Sequence, residues 1–134
     1  MAKLSIIEGI KGTYEFRLKY AGLYSVQHLL EVAKTQKGRR RLSKKTGIPI
    51  PLIFKWTKQA DLLRVKGVGV YYAELLEAVG IDTVPELARR KPENLWAKMV
   101  EANHGKKYVR KIPALQQVAS WIKQATELPR SVYC

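Results

Sequence analysis

Between Arg64 and Tyr72 the chain reads RVKGVGVYY, two glycines one residue apart at the start of a helix-forming stretch. Glycine enters positive φ without a Cβ clash, so Gly67 and Gly69 are expected to make a tight bend. Such a bend turns backbone N–H groups outward at the positive end of the helix expected from about Val70 to Val79. A nest of this kind suits a phosphate oxygen and reads no base sequence. Lys66 adds a cation, while Val65, Val68 and Val70 are expected to tuck inward. The first candidate site is therefore Lys66, Gly67, Val68, Gly69 and Val70, bound through phosphate.

A second candidate lies upstream. KTQKGRRRLSKK, Lys34 to Lys45, holds seven basic residues and no acidic one. On a helix, Lys37, Arg41, Lys44 and Lys45 share one side, with Leu42 and Ile48 directed to the core. Arg39 and Arg40 complete this basic set. The whole chain of 134 residues has a net charge of +14 and a pI near 10.0. Residues 1–64 carry 14 basic side chains against 4 acidic, and residues 65–134 carry 11 against 7. A charge run is often no more than a solvated face, but a field of this size and sign attracts polyanions. A smaller basic patch, NHGKKYVRK, contributes Lys106, Lys107, Arg110 and Lys111. Tyr108 within it is read as a structural residue before a stacking one.

No arrangement suited to catalysis is found. His28 and His104 are the only histidines, lie far apart, and have no cysteine or paired carboxylate at ligand spacing, so no metal site is expected. Neither a Ser/His/Asp spacing nor a GxxxxGK[ST] phosphate loop occurs. No lysine is marked as a Schiff-base nucleophile, so the chain is read as non-catalytic, without cofactor or small-molecule substrate. The single cysteine, Cys134, allows no intrachain disulfide, which suits a reducing compartment. With no secretory signal and no run near the ~18 apolar residues of a membrane span, a soluble cytoplasmic protein is expected.

The elements that position these residues come in two copies. IEGIKGTYEFRLKYAGLYSVQHLL (7–30) lies over VKGVGVYYAELLEAVGIDTVPELA (65–88), pairing Gly9 with Gly67, Tyr14 with Tyr72, Leu18 with Leu76 and Gly22 with Gly80. With seven residues added to the second copy, IFKWTKQA (53–60) matches VASWIKQA (118–125), Trp56 over Trp121. Gly80 is placed as a helix C-cap, Thr83 and Glu86 as a capping box, and Pro92 as the break before a helix with Leu95 and Met99. Ile53, Trp56, Ala60 and Leu63, like Val118, Trp121, Ala125 and Leu128, share one helix face, which marks both tryptophans as core. No alternating run demands a strand. The expected fold is all-α, with repeats at 1–64 and 65–134 packed into one compact unit.

LLRVKGVGVYYAELLEAVGIDTVPELA resembles a helix-hairpin-helix module, whose pattern is apolar-x-Gly-apolar-Gly followed shortly by Ala. Val65, Gly67, Val68, Gly69 and Ala73 match it. AGLYSVQHLL and VGIDTVPELA are similar to segments of the N-terminal domain of RadA-type recombinases and of the RNA polymerase α C-terminal domain. The two-copy layout resembles small bacterial tandem helix-hairpin-helix proteins of SAM-like fold. The resemblance implies sequence-independent contact with DNA backbones, or use of the module as a protein-docking unit. The first copy departs from the pattern: Lys11 stands where the second glycine belongs, and Glu8 replaces Lys66. The leading expectation is nucleic-acid backbone binding, with duplex DNA favoured through the resemblance. The alternative is a helical adaptor whose basic face docks an acidic protein surface.

Overall fold

Short apolar-and-glycine turns cut the chain into helices, each with one face suited to burial. A computed structural model describes residues 2–134, and among these there are eight α-helices and no strand. They are α1 (Thr13–Tyr20), α2 (Val26–Ala33), α3 (Gln36–Thr46), α4 (Ile50–Leu62), α5 (Val70–Ala78), α6 (Val84–Ala88), α7 (Pro92–Gly105) and α8 (Leu115–Glu127). The fold is all-α. Among the described residues no helix is long and apolar enough to cross a membrane.

The chain divides into two compact units. Unit 1 runs to Asp61 and takes back Ser131–Cys134; unit 2 is Leu62–Arg130. The boundary therefore falls three residues before the sequence-based one, inside the last turn of α4. The return of the final residues has a physical cause. The Tyr133 N–H donates to the Lys34 carbonyl at 2.8 Å, and the Arg39 guanidinium donates to the Tyr133 carbonyl at 2.6 Å.

The repeat expected from the sequence is visible in each unit's own packing. In unit 1, Gly9 has φ +97°, and a Cβ placed there would lie 3.1 Å from Trp56 Nε1. In unit 2, Gly67 has φ +95°, and its Cβ would lie 2.9 Å from Trp121 Nε1. The tyrosine after each hairpin meets the same tryptophan: Tyr14–Trp56 at 5.4 Å and Tyr72–Trp121 at 5.2 Å between ring centroids. Glycine here supplies both the left-handed backbone and the room for an indole. Ile7 and Ile10 in one hairpin are buried, as are Val65 and Val68 in the other, where they share a core cluster with Trp121.

Helix ends follow the local chemistry, with one exception. Gly80 (φ +90°) closes α5, the Ile81 N–H donating to the Leu76 carbonyl as a Schellman cap requires. Ser25 caps α2 by accepting from the His28 N–H, and Thr35 caps α3 by accepting from the Gly38 N–H. Thr83 does not form the expected capping box. Its hydroxyl donates instead to the Glu86 side chain at 2.9 Å, and no side-chain cap bond to a backbone amide forms.

Hydrogen bonding with Asp82, and then partial burial, hold the Glu86 carboxyl above its ordinary range. A raised carboxyl means that the native state holds the proton more tightly than the unfolded chain. The stabilisation is present at low pH and is lost as pH rises through the folded pKa. Glu86→Gln, which cannot ionise, is expected to raise the melting temperature at pH 7. The gain should vanish when pH falls below the carboxylate range, as thermal melts at both pH values would show.

Unit 2 buries Leu62, Val65, Val68, Leu75, Leu76, Leu87, Met99 and Trp121 in one cluster, with α6 and α7 against α8 and α5 against α7. Unit 1 buries Leu18, Leu29, Leu42, Ile48, Ile53 and Trp56, with α2 against α3. These are the faces expected from the apolar stripes.

Candidate functional site

In unit 2 the glycine hairpin and the basic insertion form opposite sides of one groove. A concavity of about 720 Å³ is lined by Gly67, Gly69, Val70, Tyr71 and Tyr72 from the hairpin and α5, and by Lys107 to Lys111 from the following loop. The sequence treated these as two separate features. The seven residues that the second repeat has and the first lacks are what give the hairpin a facing wall.

The hairpin's donors differ in part from expectation. Lys66 contributes no free amide: its N–H donates to Gln124 Oε1 at 2.9 Å, and its carbonyl accepts from Gln124 Nε2 at 3.1 Å. Val68 is buried and its N–H donates to the Val65 carbonyl. The Val68 amide is therefore corrected out of the nest, while Lys66, expected only as a side-chain cation, keeps its side chain exposed. What remains is the start of α5. Gly69 is its N-cap and supplies no capping side chain, and the first-turn N–H groups of Val70, Tyr71 and Tyr72 have no acceptor within the helix. A second correction concerns Gly69 itself. Its φ is −91° and ψ −176°, ordinary extended backbone, and a Cβ there would meet nothing within 4 Å. Gly67 alone makes the bend; Gly69 keeps the helix start open to an approaching group.

The basic wall is held firmly. Asn103 Oδ1 accepts from the N–H groups of Tyr108 (2.8 Å) and Val109 (3.0 Å), and Asn103 Nδ2 donates to the Val109 carbonyl. Val109 is buried beneath the loop. Tyr72 OH donates to the Lys111 carbonyl at 3.2 Å, and Trp96 Nε1 donates to the Pro113 carbonyl at 2.9 Å. Backbone fixed at these points leaves the exposed side chains of Lys107, Arg110 and Lys111 at the groove edge. Lys106, also exposed, sits over the Tyr108 ring at 5.2 Å. Asn103, Trp96 and Gln124 were not foreseen. Only Gln124 left a signal, since it recurs with Gln59 in the two KQA matches.

In unit 1 the basic run forms α3 as expected, and Lys37, Arg40, Arg41, Lys44 and Lys45 are exposed while Leu42 and Ile48 are buried. Arg39 departs from that set. It is 2% exposed, and its guanidinium donates to the Ala33 carbonyl at 2.9 Å as well as to Tyr133. The same group lies 4.3 Å from the centre of the Phe54 ring. Burial lowers its pKa from the ordinary arginine value. Arg39 is a buried anchor for the chain's final residues, and its charge does not reach the basic face.

The first hairpin is also rebuilt. With Lys11 in place of the second glycine, Gly12 becomes the N-cap of α1 at φ +58°, and the helix starts one residue later than α5 does in the matched alignment.

Taken together, the geometry is that of an all-α chain with an uncapped helix start facing a basic loop. A family model described as Domain of unknown function (DUF4332) matches residues 8–128, and the chain belongs to that family. No curated protein and no solved structure matches the chain.

Proposed function

We propose that the protein binds nucleic-acid backbones without reading base sequence and without catalysis, and that duplex DNA is its main ligand. One observation carries this reading: the open first turn of α5 and the side chains of Lys107, Arg110 and Lys111 line the same groove. The amides offer directional donors to a phosphate oxygen, and the cations neutralise its charge. The exposed face of α3 supplies further phosphate contacts from unit 1. Sequence independence follows from chemistry, since every nucleotide carries the same phosphate. The preference for duplex DNA rests on the sequence's resemblance to helix-hairpin-helix modules.

Gly69→Ala separates binding from folding. The backbone there is accessible to alanine and the methyl meets no protein atom. The gain of about 0.4–1 kcal/mol from lost unfolded-state freedom is offset by alanine's poorer fit to an N-cap, and stability is expected to stay within about 1 kcal/mol of wild type. Projecting at the mouth of the nest, the same methyl is expected to weaken duplex binding measured over a salt series. Unchanged affinity in Gly69→Ala would reject the nest. Wild-type binding no tighter than that of an unrelated basic protein would reject the nucleic-acid reading altogether.

A further inference from the structure

Helix α1 in unit 1 leaves two large rings in water. Phe16 is 67% exposed and Tyr20 86% exposed. They stand one turn apart, with ring centroids 6.2 Å apart and planes inclined by 30°. The fold does not require aromatic residues there, because the matched positions of the second repeat hold Glu74 and Ala78. Charge surrounds the pair. Lys19 lies to one side, paired with Glu15 at 3.5 Å, and exposed Arg17 lies to the other. Arg17 Nη1 comes within 3.7 Å of the Cβ position of Gly47, the left-handed cap of α3. The last turn of α3 carries Lys44 and Lys45, so the aromatic face runs into the basic helix through Arg17.

We propose that this face binds single-stranded nucleic acid, with unpaired bases stacking on Phe16 and Tyr20 while Arg17, Lys44 and Lys45 hold the phosphates of the same strand. Rings beside a cationic track suit a ligand that alternates flat π faces with negative charge. In a duplex those π faces are covered by neighbouring base pairs, which excludes duplex DNA from stacking on Phe16 and Tyr20. A second copy of the chain is disfavoured, because a two-fold interface here would bring the same cations together. The inference uses a different unit and different residues from the α5 groove; with the proposed function it shares the polyanion preference of the chain and the cations Lys44 and Lys45 of α3.

The test compares wild type with the Phe16→Ala/Tyr20→Ala variant by fluorescence anisotropy. Three labelled probes are used: an oligo-dT strand, an abasic strand of equal length and charge, and a duplex. Both side chains are exposed, so the variant is expected to fold and melt as wild type does. Its affinity for oligo-dT should fall by roughly tenfold or more, with affinity for the abasic strand and the duplex unchanged. Equal oligo-dT affinity in the two proteins would overturn the proposal, as would equal wild-type affinity for oligo-dT and the abasic strand. Sedimentation showing a wild-type dimer that the substitutions dissociate would also overturn it and assign the face to self-association. A wild-type protein that binds oligo-dT as predicted but binds no duplex would count against the α5 groove and leave this face standing, whereas loss of duplex binding in the variant would overturn the proposal.

Discussion

Replacing Lys107, Arg110 and Lys111 together by glutamine should weaken duplex binding on the order of 100-fold at about 0.1 M salt, while leaving the fold intact. Each phosphate neutralised by a cation releases counterions, contributing about 0.9 to the slope of log affinity against log salt. Losing three contacts should therefore flatten that slope by about 2.7. The loop itself should survive. It is tied down through Asn103, the Lys111 carbonyl and the Pro113 carbonyl, none of which involves the substituted side-chain heads. A salt series on both proteins checks the prediction. An unchanged slope would mean that these cations do not meet phosphate.

Gly67→Ala should act on stability first. An L-residue held at φ +95° is strained by about 1–3 kcal/mol. The new methyl would also press on Trp121 Nε1 from 2.9 Å, against a ring fixed in the core of unit 2. A total near 2–4 kcal/mol is expected, which for a small domain lowers the melting temperature by roughly 10 °C or more. Gly9→Ala meets the same two obstacles at φ +97° and 3.1 Å from Trp56, and should be destabilising in the same way. Thermal denaturation of both variants checks this; a melting temperature unchanged in either would contradict the account of the glycine–tryptophan pairing. The prediction bears on function too. Loss of binding in a Gly67 variant would report a damaged hairpin, whereas Gly69→Ala reports the nest.

The helices and the repeat were legible in the sequence because each rests on local chemistry. Gly22 and Gly80 end helices through positive φ, Ser25 caps the helix that follows Gly22, and the tryptophan stripes have helical spacing. The site was legible only in pieces. The sequence contains both VKGVG and GKKYVRK, but their meeting depends on Asn103, Tyr72 and Trp96 fixing a loop some forty residues from the hairpin. Hydrogen bonds from three separate side chains to backbone atoms leave no periodic trace. Arg39 was misplaced for a related reason. Within a run of three arginines nothing local distinguishes it, and only the carbonyls of Ala33 and Tyr133 with the Phe54 ring make its burial tolerable. Gly69 was misread because glycine permits positive φ without demanding it; here it takes ordinary extended backbone at an open helix start.

The central claim is that phosphate meets the open first turn of α5 beside the basic loop. Amide chemical shifts of the isotopically labelled protein, followed by NMR during titration with a short unspecific duplex, test it most directly. The largest perturbations are predicted at the amides of Gly69, Val70, Tyr71 and Tyr72, with smaller ones at Lys107 to Lys111 and along the exposed face of α3. Perturbations confined to α3, with the α5 amides unmoved at saturating duplex, would contradict the account.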